Sequence, residues 1–309
     1  MVGRTGPKRG SRAYWHRRRA SRIVPRIRCW KSTSKLSGFP CYKAGMRTIT
    51  IIDDRESPTK GQEIARAVTA VEVPPVFVYA LTGYRSTPLG LKPVGECVTL
   101  NEAPKELKKF VRLAKKSVSK PEDLAGCTEY RVKVYTQPFK TGTGKKTPEL
   151  VELGLGGTPE EQFEYAKTIL GKEIAFGEAL TVGETVDAVG VTKGKGWQGV
   201  VKRFGVALQF HKATQKRRHG GTIGPERQAK VMYTVPRAGQ MGFHRRTDKN
   251  KRILSTGSKL DYAFHCYGPI KGDYLLLDGS IPGPAKRFML LRKTADPAKK
   301  PEIRQGVVE

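Results

Sequence analysis

Acidic residues are scarce in two long stretches of this 309-residue chain: none lies between Met1 and Ile52, and only Glu226 and Asp248 lie between Gly190 and Leu260. Those stretches carry 14 and 17 Lys plus Arg. The scarcity is local, because Asp53–Val189 holds 19 basic and 20 acidic residues and Asp261–Glu309 holds 8 and 6. The formal net charge of +30 is therefore concentrated in two segments flanking a neutral one. A compact body carrying that excess repels itself, which implies a polyanionic partner. Membrane-surface binders usually place such charge on one amphipathic helix, whereas both segments here are studded with Gly and Pro. Nucleic acid is the better-fitting partner.

Other absences narrow the chemistry. No apolar run approaches the roughly eighteen residues of a membrane span, and the longest, near Val73–Leu81, is broken by Pro74 and Pro75. The five cysteines (29, 41, 97, 127 and 266) form no C-x-x-C pair, and their odd number points to reduced thiols in an intracellular protein. The five histidines form no H-E-x-x-H or comparable cluster, so no metal site is expected. The N-terminus lacks the apolar core of a secretory signal; its Arg and Ser content resembles a transit peptide, but Gly3, Gly6, Pro7 and Gly10 would interrupt an amphipathic helix.

What is present is mainly β. Met46–Ile52, Val68–Val73, Val76–Leu81, Tyr130–Tyr135, Leu180–Val191, Tyr262–Tyr267, Tyr274–Leu277 and Arg287–Leu291 are short, rich in Val, Ile, Leu and Tyr, and bounded by turn residues. Many short strands argue for an antiparallel barrel or sandwich. Two helices are expected inside an excursion over residues 101–170. Lys105–Lys116 carries an apolar stripe at Leu107, Phe110, Val111 and Ala114. Thr158–Leu170 opens with a capping Thr158, Pro159 and Glu161 and stops at Gly171. The body then comprises residues 41–100 and 171–300, preceded by a basic arm over 1–40.

The run Gly190–Gly205, GVTKGKGWQGVVKRFG, contains G-x-G-x-x-G at Gly194, Gly196 and Gly199. A dinucleotide turn needs an acid about twenty residues on, yet no carboxylate follows before Glu226, and the P-loop order is also missing. No cofactor or small-molecule pocket is expected. The glycines instead let backbone approach an extended phosphate chain while Lys193, Lys195, Lys202 and Arg203 supply charge. Trp197 reads as a core residue in preference to a stacking platform. His211–Lys230 shows no persistent helix or strand pattern and should be a long basic loop (205–230), a form that is usually functional.

The candidate RNA-binding residues follow from these segments. The arm offers Lys8, Arg9, Arg12, Trp15, Arg17, Arg18, Arg19, Arg22, Arg26 and Arg28; the loop offers Lys212, Lys216, Arg217, Arg218, His219, Arg227 and Lys230; Met241–Ile253 adds Arg245, Arg246, Lys249 and Lys251. In the arm, Arg alternates with Tyr14, Trp15 and Trp30, so guanidinium groups meet phosphates while rings stack on bases. Such an arm is too polar to order itself and is expected to be disordered until its polyanion is present. Two rival classes, an RNA-modifying enzyme and a dinucleotide oxidoreductase, rest respectively on Glu226 and Asp248 as carboxylates and on the glycine pattern alone.

The motif formed by Asp187, Gly190, Thr192, Gly194, Lys195, Gly196, Gly199 and Arg203 resembles the signature of ribosomal protein L-three, the third protein of the large subunit. The resemblance extends to Ser11–Trp30, Tyr42–Met46, Thr82–Leu91, His219–Glu226 and Ala238–Ile253, and its archaeal and eukaryotic branch fits best. It implies a six-stranded closed antiparallel, Greek-key, translation-protein-like β-barrel with an α insertion and long basic extensions. It also implies a non-catalytic structural constituent of the large subunit, cytoplasmic, bound to large-subunit ribosomal RNA and neighbouring ribosomal proteins and to no membrane. Family members act early in assembly and send the arm and loop toward the peptidyl transferase centre. Many relatives in this branch place a tryptophan near the loop tip; here the matching place reads Pro225, Glu226, Arg227, and Arg227 is the candidate substitute.

Overall fold

The computed structural model describes residues 16–30, 35–99, 120–212 and 216–294, together with Lys105 and Lys109. The expected helix over Lys105–Lys116 lies outside the described residues except for those two positions, both helical. In chain order the strands are β1 (Gly38–Ile52), β2 (Glu63–Glu72), β3 (Val76–Thr87), β4 (Gly90–Val98), β5 (Glu129–Thr136), β6 (Leu150–Gly154), β7 (Glu173–Ile174) and β8 (Thr185–Val191). There follow β9 (Trp197–Gln198), β10 (Gly239–Gln240), β11 (Arg245–Phe264), β12 (Gly268–Asp278) and β13 (Phe288–Lys293). Besides Lys105 and Lys109, the α-helices among the described residues are α1 (Pro159–Ile169) and α2 (Val200–Phe204). The chain divides into two compact units, one of Met1–Ser21 and Thr192–Arg245, the other of Arg22–Val191 and Arg246–Glu309.

The larger unit is mainly β. Six of its strands pair in the order β1, β13, β8, β11, β12, β2, and β2 also pairs antiparallel with β1 from Tyr42↔Glu72 to Ile52↔Glu63. Alternation accounts for the inward faces: Ile49 and Ile51, two residues apart on β1, are buried against Val68 of β2 and Leu254 of β11. Pro74 and Pro75 divide β2 from β3, because proline cannot donate to a ladder, and β3 joins a second sheet in the order β4-β3-β5-β6. Helix α1 starts with the expected capping box: Thr158 Oγ1 accepts from Glu161 N at 3.4 Å, and Thr158 N donates to Glu161 Oε2 at 3.1 Å. It docks on β5 through Gln162, whose Oε1 accepts from Tyr130 N at 3.0 Å, and through a 5.0 Å contact between the rings of Tyr130 and Phe163.

Two side chains tie the larger unit together. Glu72, fully buried, accepts from Gly142 N at 2.9 Å, Lys271 N at 3.0 Å, Gly272 N at 2.9 Å and the Tyr267 hydroxyl. Burial next to that carboxylate drives the Tyr267 phenol's pKa far up. Asp187, 3% exposed, receives the Arg292 guanidinium from β13 and accepts from Asn250 N of β11 at 3.1 Å. The signature aspartate is thus a strand staple, a role that its place in the motif does not disclose.

The arm expected to lack internal anchorage has one over its second half. Pro25 and Ile27 are buried, and Val24 and Trp30 pack against the core, because this stretch alternates apolar residues with the exposed Arg26 and Arg28. Arg131 Nη2 and Arg292 Nη1 donate to the carbonyls of Arg28 and Cys29 at 3.2 and 3.1 Å. Trp30 is not a stacking platform: its indole occupies the place that a side chain at residue 154 would fill. A Cβ on Gly154 would fall 2.2 Å from Trp30 Cγ. Gly154→Ala should therefore expel the indole and cost about 1–3 kcal/mol, checked by urea melts followed through tryptophan emission.

In the β1–β2 loop, Asp53 accepts from Thr59 Oγ1 at 2.6 Å, Ser57 Oγ at 2.7 Å and Arg55 N at 3.1 Å. The Thr59 bond first, then those of Ser57 and Arg55, hold its pKa down to about 2, against an ordinary 3.8. A depressed carboxyl stabilises the fold above the ordinary value, and that contribution disappears as pH falls through the folded value. An NMR titration should place the Asp53 midpoint at about 2, with loop amides loosening only below it; a midpoint near 3.8 would contradict the three-bond assignment.

Candidate nucleic-acid interface

In the smaller unit the glycine-rich run forms one side of a narrow ladder. Thr192 N donates to His244 O at 3.0 Å, Lys195 N to Met241 O at 3.0 Å and Met241 N to Gly196 O at 2.9 Å, and β9 pairs with β10 through Gln198↔Gly239 and Trp197↔Gln240. Gly242 has a compelling steric reason: at φ +74° its absent Cβ would lie 2.1 Å from Lys193 O. By contrast, nothing in the protein lies within 4 Å of a Cβ built on Gly199. Helix α2 follows and ends at Gly205, in the left-handed region at φ 68°.

Residues 16–21 run beside this ladder. Ala20 N donates to Phe243 O at 2.7 Å, and the buried His244 places Nδ1 2.7 Å from Arg18 O. A carbonyl only accepts, so that nitrogen carries the proton. The Arg17 guanidinium lies 4.1 Å from the Phe204 ring centroid, and that of Arg203 lies 5.2 Å from the same ring. Arg203 also spans the hairpin, donating Nε to Gln240 O at 3.1 Å and Nη1 to Arg237 O at 2.8 Å. Burial lowers its pKa below the ordinary arginine value. The structure thus gives this signature arginine an internal duty.

The two segments of this unit hold 19 Lys and Arg and a single acid, Glu226. Arg18, Arg19, Lys193, Lys195, Lys202, Lys212, Lys216, Arg217, Arg218, His219, Arg227, Lys230 and Arg245 are all exposed on it, and Arg17 and Arg203 are partly buried. From Phe210 to Tyr233 every described residue is exposed. Among its described residues the hydrogen bonds are few: Gln209 N to Arg217 O at 3.0 Å, Arg217 Nε to Gln209 O at 3.4 Å, Gly221 N to His219 Nδ1 at 3.2 Å, Val235 N to Met232 O at 3.1 Å, and a single turn over Glu226–Gln228. In the larger unit Arg22, Arg26, Arg28 and Lys249 are exposed, while Arg246 and Lys251 are partly buried, Lys251 with its Nζ 3.3 Å from Asp248. Lys8, Arg9, Arg12 and Trp15 lie outside the described residues, as does Tyr14.

One expectation is overturned. Trp197, read from the sequence as a core residue, is 76% exposed, since β9 is only two residues long and offers no inner face to bury it. Phe210 and Tyr233 were not singled out by sequence reasoning and are 69% and 82% exposed. Their signal in the sequence is an aromatic ring in a basic segment without apolar periodicity. Among the described residues no group of three or more His, Cys, Asp or Glu side chains could hold a metal ion, and no helix is long and apolar enough to cross a membrane.

A polycationic surface with exposed rings suits an extended polyanion as partner. The chain belongs to the family of ribosomal protein L3, whose model matches residues 3–309. It is 44% identical to the large ribosomal subunit protein uL3 of Caldivirga maquilingensis, over 97% of this chain and 93% of that protein. The proteins of the same name from Methanothermobacter thermautotrophicus and Methanococcus maripaludis are 42% and 43% identical, over 96% and 93% of this chain and 94% and 90% of theirs.

Proposed function

We propose that this chain is a structural, non-catalytic constituent of the large ribosomal subunit, held there by direct binding of large-subunit RNA and in contact with neighbouring ribosomal proteins. The observation that carries the reading is the stretch Phe210–Tyr233, whose described residues are all exposed and which is rich in Lys and Arg, within a chain of that family. Basic arms of this kind fill crevices where phosphates crowd, and they recognise RNA by shape, 2′-hydroxyls and phosphates. In this reading β1, β13, β8, β11, β12 and β2 close into the family's Greek-key barrel, supported by the antiparallel pairing of β2 with β1. The arm over 1–40, the insertion over 101–170 and the loop over 205–230 are attachments to the body formed by 41–100 and 171–300. Arm and loop reach toward the peptidyl transferase centre, and the protein joins early in assembly.

Sucrose-gradient sedimentation of cell extracts tests the proposal. The endogenous protein should travel with large subunits and stay with them through a moderate salt wash; recovery at the top of the gradient would refute it.

A further inference from the structure

We propose that Trp197, Phe210 and Tyr233 are stacking platforms for unpaired bases of the RNA, which puts ring stacking beside charge in the binding surface. This inference rests on the RNA reading and deepens it. Of the described Phe, Tyr and Trp side chains, these three are more than two-thirds exposed, and all belong to the smaller unit. Each stands among cations: Trp197 two residues from Lys195, Phe210 two from Lys212, Tyr233 three from Lys230. Rings kept in water lose the burial that ordinarily stabilises them, whereas on a surface with one carboxylate they suit a ligand having both negative charge and flat apolar faces. Unpaired nucleotides have both. A-form duplex hides its base faces inside the stack, and an acidic protein offers charge without a regular series of planar rings. Phe210 already has His211 beside it, ring centroids 4.3 Å apart and tilted by 42°, while most of its surface stays open. These three rings lie outside Pro225, Glu226 and Arg227 of the same basic stretch.

The test uses the full-length chain and single Ala substitutions at Trp197, Phe210 and Tyr233, with two polymers of equal length as probes: single-stranded oligoadenylate and an abasic ribose-phosphate oligomer. Each substitution should weaken oligoadenylate binding by roughly 5- to 150-fold while leaving abasic binding and the salt slope unchanged. The conservative variants Trp197→Phe, Phe210→Tyr and Tyr233→Phe should retain most of the affinity. Because the side chains are exposed, melting temperatures should match the parent's. Equal losses on both polymers, or no loss on either, would overturn the proposal. So would variants that bind RNA normally but fail to bind polyglutamate that the parent binds, since the rings would then serve a protein partner. If the parent binds neither nucleic-acid polymer, the RNA reading itself fails; binding of both with no effect of the substitutions removes the stacking alone.

Discussion

Replacing Lys212, Lys216, Arg217 and Arg218 together by Ala will weaken binding to large-subunit RNA by roughly two hundredfold at physiological salt. The magnitude follows from counterion release: each neutralised phosphate on single strands contributes about 0.7 to the slope of log affinity against log salt, so four lost contacts flatten it by about 3. The four side chains are exposed, and the Arg217 side chain makes only a long 3.4 Å contact from Nε to Gln209 O. The β-sheet circular dichroism should therefore be unchanged. Filter binding across a salt series reads slope and affinity together. A quadruple variant that keeps the parental slope would mean that these cations face something other than phosphate, and loss of the β signal would mean that the segment supports the fold.

The second large effect concerns stability. Glu72→Ala removes the acceptor for three backbone N–H groups, from Gly142, Lys271 and Gly272, and for the Tyr267 hydroxyl. Stranding buried donors around a deleted carboxylate should cost about 3–5 kcal/mol, against a typical total stability of about 5–15. Glu72→Gln keeps one oxygen, enough for the two amides of Lys271 and Gly272, but turns an N–H₂ toward Gly142 N and Tyr267. It should cost roughly half as much. Urea melts of both variants check the order; a Gln variant as damaging as Ala would show that the charge, more than the acceptor geometry, matters.

Much of the β structure is legible in the sequence because its strands are short runs rich in apolar, β-branched and aromatic residues. Met46–Ile52, Val76–Leu81 and Tyr130–Tyr135 fall inside β1, β3 and β5, and the capping signals of Thr158–Leu170 locate α1. β4, β6 and the two-residue β7, β9 and β10 escape that reading, as does most of β11. β4 contains Pro93 and two glycines, and β6 is five residues long. The first half of β11, Arg245–Arg252, carries no apolar residue, so no apolar pattern marks it as a strand. Its support is polar: Asn250 N on Asp187, and Arg252 paired with Asp54 at 2.7 Å. Tyr262–Tyr267 overshoots the strand end, since Cys266 takes a positive φ of 61° in the turn before β12.

The site was legible as charge and less so as geometry. Composition locates the cationic surface, because solvated Lys and Arg need no fold to be exposed. It does not separate Arg217, which faces water, from Arg203, whose guanidinium is spent on two carbonyls. Nor does it show that Trp30 is wedged over Gly154 while Trp197 stands in solvent, because both sit close to cations in the sequence.

Hydrogen exchange resolved along the chain, in the free protein and in intact large subunits, tests the central claim most directly. Residues 210–233 are predicted to exchange within the shortest labelling time when free, having few internal acceptors, and to be strongly protected in the particle. Equal rapid exchange in both states, with protection confined to the β body, would contradict the claim that this segment is the RNA-binding element.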